Sequence, residues 1–200
     1  MNKKINISII GTRGYPYVYS GYETFVKQLS ERLVLKDCNV TIYCHKGLFE
    51  IRPKEIKGIK LVYIPTIETK ILSQPIHSFL SIIHACFSNT DVLLVVNSAN
   101  GPFGLLTKLF KIPTAINVDG LEWLRPKWKG LGSIYFKWAS KMATLFYDQI
   151  INDSDEMRKV YLDLFKRDSK VIAYGADIRK SKNSDLINKW NLKQREYFLV

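Results

Sequence analysis

Residues 92–96 read Val92-Leu93-Leu94-Val95-Val96, apolar without a break. A strand with one wet face alternates apolar and polar residues, so an unbroken run belongs in a sheet covered on both sides, as parallel sheets flanked by helices are. Comparable runs recur at Ile5–Ile10, Val40–Cys44, Lys60–Ile64, Thr114–Val118, Gln149–Ile151 and Lys170–Ala173, and helix-length segments separate most of them. This alternation predicts an α/β domain, Rossmann-like and doubly wound, with a mostly parallel sheet. Two hundred residues, 46% hydrophobic and 24% charged, suffice for one such core and exclude disordered and fibrous classes.

Residues 1–178 are expected to form this domain. Arg179 to Ser184 reads as a polar linker, Leu186–Asn191 as a short helical piece, and Glu196-Tyr197-Phe198-Leu199-Val200 as a strand that ends the chain without a partner. Residues 179–200 are therefore expected to be a linker and the first strand of a second domain, with the chain as a fragment.

Met1-Asn2-Lys3-Lys4 leads straight into a patterned run, unlike a signal peptide, which predicts a cytoplasmic protein. The longest apolar stretch, Ile71 to Ser88, carries Gln74, Pro75, His77 and His84, which suits a buried or interfacial helix better than a membrane span of about 20 apolar residues. Cys38, Cys44 and Cys86 form no Cys-x-x-Cys pair and are expected to be buried, reduced thiols, with no metal site. A net charge of +12 predicts attraction to a polyanion: nucleic acid, an anionic bilayer or a phosphorylated small molecule.

In such sheets ligands bind beyond the carboxyl ends of the strands. The first strand empties into Gly11-Thr12-Arg13-Gly14-Tyr15-Pro16, and a helix begins near Ser20-Gly21-Tyr22-Glu23. Glycines let the backbone approach a phosphate, amides at a helix start point at it, and the helix dipole favours negative charge there. Arg13 would add a bidentate clamp. Neither the dinucleotide fingerprint nor the Walker loop is matched, which removes the main support for a dehydrogenase or a P-loop enzyme. Ser20 and Glu23 also fit a capping box, which would leave Glu23 a purely structural role.

The second constellation is Asn117-Val118-Asp119-Gly120-Leu121-Glu122-Trp123-Leu124-Arg125-Pro126-Lys127-Trp128, at the end of a buried strand. A carboxylate placed there can orient or deprotonate a hydroxyl, and Arg125 or Lys127 can hold a phosphate or the acid itself. A surface ion-pair network with tryptophan as a lid over the core is the alternative. From Trp123 to Tyr147 aromatic residues interleave with Arg125, Lys127, Lys129, Lys137 and Lys141. That pattern suits the headgroup zone of an anionic membrane, and equally the core packing of one helix face. Asp153 and Glu156 stand at capping-box spacing before a further helix.

These motifs, with Ile172-Ala173-Tyr174-Gly175-Ala176-Asp177, resemble the N-terminal domain of retaining family 4 glycosyltransferases of the GT-B fold, in the bacterial subgroup that includes rhamnosyltransferases of capsule and exopolysaccharide synthesis. The resemblance covers nearly the whole chain. It departs at Ser20-Gly21, where the subgroup usually has two glycines. It implies transfer of a sugar, with rhamnose the subgroup's example, from a nucleoside-diphosphate sugar to a saccharide or lipid-linked acceptor. No metal and no cofactor beyond the donor are implied. Carried over, Asp119 is the catalytic residue; Gly11, Arg13, Gly14 and Gly21 face the donor diphosphate; Tyr22, Glu23, Gly120, Glu122 and Arg125 face acceptor or substrate. The domain alone is expected to be inactive without its nucleotide-binding partner domain, and peripheral contact with the inner face of the cell membrane is expected. A binding-only remnant is a competing reading. A basic nucleic-acid-binding module is another, but no nucleic-acid motif is present and no nucleic-acid partner is expected.

Overall fold

The computed structural model describes residues 3–17, 20–67, 69, 72–176, 178, 184–193 and 195–198. In chain order the elements are β1 (Asn6–Ile10), α1 (Gly21–Leu35), β2 (Asn39–His45), β3 (Glu55–Ile56), β4 (Ile59–Ile64), α2 (Ser73–Cys86), β5 (Val92–Val96), α3 (Gly104–Leu109), β6 (Thr114–Val118), α4 (Leu131–Phe146), β7 (Gln149–Asn152), α5 (Asp155–Phe165) and β8 (Lys170–Val171). The strands form one sheet in the order β3-β4-β2-β1-β5-β6-β7-β8. All neighbours pair in parallel except β3 and β4.

The seven strands expected of the domain at residues 1–178 are all present, and the sheet is the mostly parallel, doubly wound one that the apolar runs predict. β3 is the addition. It is a two-residue edge strand closed on β4 through Lys57 (φ 51°) and Gly58 (φ 77°), the positive-φ pair of a tight hairpin turn. Lysine is not a usual residue at such a position, so the sequence carries only the glycine as a signal. β8 stops at Val171, although Ile172 N–H still donates to the Asn152 carbonyl at 2.8 Å. The strand expected over residues 196–200 is not formed by the described residues 196–198; Leu199 and Val200 lie outside the described residues, as do 179–183 of the expected linker. A 3-10 segment at Ser184–Trp190 overlaps the expected helical piece.

Each face of the sheet has its own core. One holds Ile9, Ile42, Val96 and Val26 of α1. The other holds Val95, Ile116 and Ile150 beneath Ile82 of α2, Phe136 of α4 and Tyr161 of α5. This two-sided burial explains the unbroken run of β5, whose Leu93 and Val95 serve one core and Leu94 and Val96 the other. The stretch from Ile71 to Ser88 is largely α2, buried along one side. Of the cysteines only Cys44 is buried; Cys38 and Cys86 are half-buried, and all three are free. Burial pushes the Cys44 thiol up to about 12, which leaves it inert. Among the described residues no helix is long and apolar enough to cross a membrane.

The segment after β5 lies so close to α4 that a Cβ on Gly101 would sit 1.9 Å from the Ala139 carbonyl oxygen and 2.8 Å from the Ala143 nitrogen. Both are backbone atoms, so α4 itself would have to move. Gly101→Ala is expected to cost about 3 kcal/mol and to lower the melting temperature by roughly 10 °C, read by calorimetry.

Candidate active site

The turn after β1 is built on close approach. Gly11 takes φ 109°, and a Cβ there would meet the Val96 carbonyl oxygen at 2.4 Å, so no other residue fits without moving β5. Gly14, at φ 132°, is buried against Cys44 and Phe49. Packing alone therefore accounts for the glycine at 14. Gly21, the first residue of α1, is exposed with open space around it.

The capping box expected of Ser20 and Glu23 does not form. Ser20 occupies the N-cap position, but its side chain makes no cap bond; its hydroxyl donates to Glu23 Oε2 instead. Glu23 Oε1 accepts from the Arg13 backbone N–H at 3.1 Å. Glu23 is thus buried inside the loop and ties its two ends together, one carboxylate oxygen on the Arg13 amide and the other on the Ser20 hydroxyl. The first-turn amides of α1 are left uncapped by Ser20, which preserves their attraction for an anion. The box expected at Asp153 and Glu156 also shifts: Ser154 caps α5, its Oγ accepting from Met157 N at 3.3 Å.

A polar cluster that sequence reasoning missed supports the same turn from below. Gln74, in the first turn of α2, donates from Nε2 to the Gly11 carbonyl at 3.0 Å, and its Oε1 lies 3.3 Å from His45 Nε2 at the end of β2. His45 stacks on His77 with ring centroids 3.8 Å apart, both fully buried. Burial, then the neighbouring His45, push His77 down to about 3, so it is neutral at physiological pH.

The two regions singled out in the sequence meet at the carboxyl edge of the sheet. Tyr22, on the first turn of α1, donates its hydroxyl to Asp119 Oδ1, in the loop after β6. Tyr174, beyond β8, reaches the same carboxylate: its hydroxyl lies 2.7 Å from Asn117 Oδ1 and 3.3 Å from Asp119 Oδ2. Tyr174 also packs on Phe25 of α1 with centroids 5.0 Å apart. Burial raises Asp119 above the usual carboxylate range, with the charges of Asp153 and Glu122 acting in the same direction and the two tyrosine hydroxyls opposing them. Burial and the charge of Asp119 in turn raise both tyrosines, so they remain hydrogen-bond donors. At the same edge Thr12 Oγ1 and Asp153 Oδ1 are buried without a hydrogen-bond partner among the described residues.

Glu122 and Arg125 form a separate unit. Glu122 is 8% exposed and accepts from Trp128 Nε1 at 2.9 Å, with Arg125 Nη1 at 2.9 Å and Lys127 Nζ at 3.7 Å. Trp123 packs into the core against Phe165. For these residues the ion-pair and tryptophan-lid arrangement is what the structure contains. Gly120 is open, a Cβ there meeting only Glu122 Oε1 at 3.6 Å. Among the described residues no group of three or more His, Cys, Asp or Glu could hold a metal ion. A cavity of about 340 Å³ at the opposite, amino end of the sheet includes Ser8 and Thr90, 2.9 Å apart, and Tyr43 and His84, 3.0 Å apart.

Residues 4–177 match the sequence profile of a family described as a domain of unknown function, DUF1972. The chain belongs to that family. No curated protein is similar enough in sequence to count as a relative. Among solved structures, the DUF1972 chain is similar to a sucrose-phosphate synthase from Thermosynechococcus elongatus, with a TM-score of 0.57 and 15% identity over 86% of this chain and 90% of that one. It is also similar to Phytolacca americana UGT2 complexed with UDP-2fluoro-glucose and pterostilbene, at TM-score 0.59 and 11% identity over 97% of this chain and 58% of that one. Arabidopsis thaliana UGT89C1 complexed with UDP-L-rhamnose gives 0.52 and 13% over 95% and 55%. At these identities the likeness is one of fold, and the DUF1972 chain spans little more than half of either plant chain. The fold is the Rossmann-like one found in glycosyltransferases.

The raised Asp119 has a consequence for stability. Its native pKa lies above the unfolded value, so stability is lost as pH rises through about 3.9 toward the native value and stays lost at neutral pH. Asp119→Asn keeps an acceptor for Tyr22 and removes the charge. It is expected to unfold at a higher temperature than wild type at neutral pH, with the difference vanishing below about pH 3.9 in calorimetric scans.

Proposed function

We propose that this DUF1972 chain is the acceptor-side domain of a two-domain, retaining glycosyltransferase acting in the cytoplasm. The sugar, with rhamnose as one candidate, passes from a nucleoside-diphosphate sugar to a saccharide or lipid-linked acceptor in cell-surface polysaccharide synthesis. The observation that carries the reading is the bond between Tyr22 and Asp119, which joins the glycine turn and first helix to the loop after β6. It sets a carboxylate beside a helix start at the carboxyl edge of the sheet, where α/β folds bind ligands. The glycosyltransferase fold and the nucleotide-sugar complexes of the two plant proteins support it.

In this reading the bond from the anomeric carbon to the diphosphate oxygen breaks and the acceptor oxygen takes its place. The acceptor proton leaves with the departing diphosphate. The charge that develops on the diphosphate is what the protein must stabilise. The amides of Gly21 and Tyr22, which the Ser20 side chain does not cap, and the cation of Arg13 serve that end, with Gly11 and Gly14 shaping the turn. Asp119, held by two hydroxyls, offers its remaining lone pairs to a sugar hydroxyl, and Gly120 leaves that approach open. Glu23 holds the turn, while Glu122 and Arg125 border the acceptor side. A second domain supplies the nucleotide pocket, and the reaction needs no metal and no cofactor besides the donor.

The test is nucleoside-diphosphate release by the purified full-length protein across a panel of UDP-, dTDP- and GDP-sugars. At least one donor is expected to be turned over. Asp119→Ala is expected to lower kcat by roughly 100-fold with little change in nucleoside-diphosphate affinity, and Tyr22→Phe by roughly tenfold. Turnover undiminished in Asp119→Ala would remove Asp119 from the reaction, and no turnover or binding of any donor would overturn the reading.

A further inference from the structure

Helix α4 has two apolar sides. Phe136, Ala139 and Ala143 are buried in the core. Facing away from them, Leu131, Ile134, Trp138 and Leu145 are 85%, 65%, 49% and 51% exposed. Their spacing of i, i+3, i+7 and i+14 places all four in one narrow stripe on a helix of 3.6 residues per turn. Leu105 and Leu109 of neighbouring α3 are exposed too, and Lys108 of α3 donates to the Leu145 carbonyl at 3.1 Å, so the two helices present adjoining surfaces.

Charge indicates what would cover this stripe. α2, α3 and α4 contain no aspartate or glutamate, whereas α1 carries Glu23 and Glu31 and α5 carries Asp155, Glu156 and Asp163. Exposed Lys137 and Lys141 stand beside the stripe, and exposed Lys129 precedes it. A second copy packed symmetrically on this face would set the same lysines against one another without an acid to meet them. Apolar and aromatic side chains on helices whose charged residues are all basic match an anionic bilayer surface, where apolar burial and headgroup attraction add. Since none of the described helices can span a membrane, the contact would be superficial.

We infer that the exposed stripe of α4 is a docking surface for an anionic phospholipid bilayer, with Trp138 and its apolar neighbours at headgroup depth and Lys137 and Lys141 on the phosphates. The stripe begins a short loop from Asp119: Ser133 of α4 donates to the Trp123 carbonyl at 2.7 Å. Docking there would bring the candidate site close to acceptors carried on lipid. That last consequence rests on the transfer reading; the surface itself does not.

The experiment is co-sedimentation of the purified full-length protein with vesicles of phosphatidylcholine alone and of phosphatidylcholine with phosphatidylglycerol. Binding is expected only to the anionic vesicles, weakening as salt is raised. Lys137→Glu with Lys141→Glu, and separately Ile134→Ser with Trp138→Ser, are each expected to weaken it roughly tenfold or more. Lys36→Glu, at the end of α1, is expected to have little effect. Circular dichroism confirms that each variant is folded, and nucleoside-diphosphate release with a soluble acceptor reports on the Asp119 site independently. No binding to anionic vesicles, or binding that the α4 substitutions leave unchanged, overturns the inference. So does a dimer that Ile134→Ser with Trp138→Ser dissociates, since the stripe would then be an interface between copies.

Discussion

At the end of β1 the backbone of Gly11 passes so near the Val96 carbonyl that a Cβ would lie 2.4 Å from it. That contact lets the chain turn tightly over β5 and start α1 close to β6. Everything at the carboxyl edge follows from it. Glu23 can reach back to the Arg13 amide, Gln74 can hold the Gly11 carbonyl from below, and Tyr22 can reach Asp119 across a separation of 97 residues in sequence. A side chain at position 11 would push the turn off β5 and carry α1 away from the carboxylate.

Three buried or half-buried acids at this edge show how partner geometry decides what a carboxylate can do. Glu23 is consumed by the loop, its oxygens taken by the Ser20 hydroxyl and the Arg13 amide. Glu122 is consumed by Trp128, Arg125 and Lys127. Among the described residues Asp119 meets neutral hydroxyls and no cation, so nothing there offsets the cost of its burial and its pKa rises. A half-buried carboxylate without a counter-charge among its described neighbours is costly to the fold when ionised, and such perturbed groups are common at functional sites. The contrast favours Asp119, and not Glu122, as the acid available to a ligand.

The basic-aromatic segment from Trp123 to Tyr147 answers to two demands at once. Its inward residues complete the core beneath α4, and its outward ones leave a cation-flanked apolar stripe that the fold does not use. A helix needs only one apolar side to be held against a sheet. The second side is therefore unexplained by stability and directs attention to something outside the chain.

The doubly wound sheet was legible in the residues because each strand must be apolar on both faces, and that demand is written locally in runs such as 92–96 and 114–118. Likewise Gly11 and Asp119 could be singled out, since strand ends are where such sheets bind ligands. The sequence could not show that Glu23 abandons its capping box, that Arg125 turns to Glu122, or that Tyr174, His45 and Gln74 belong to the same edge. Those outcomes depend on which side chains become neighbours once β1, β5 and β6 lie side by side. Hydrogen bonding acts over about 3 Å in space and takes no account of distance along the chain, so only the tertiary structure could decide them.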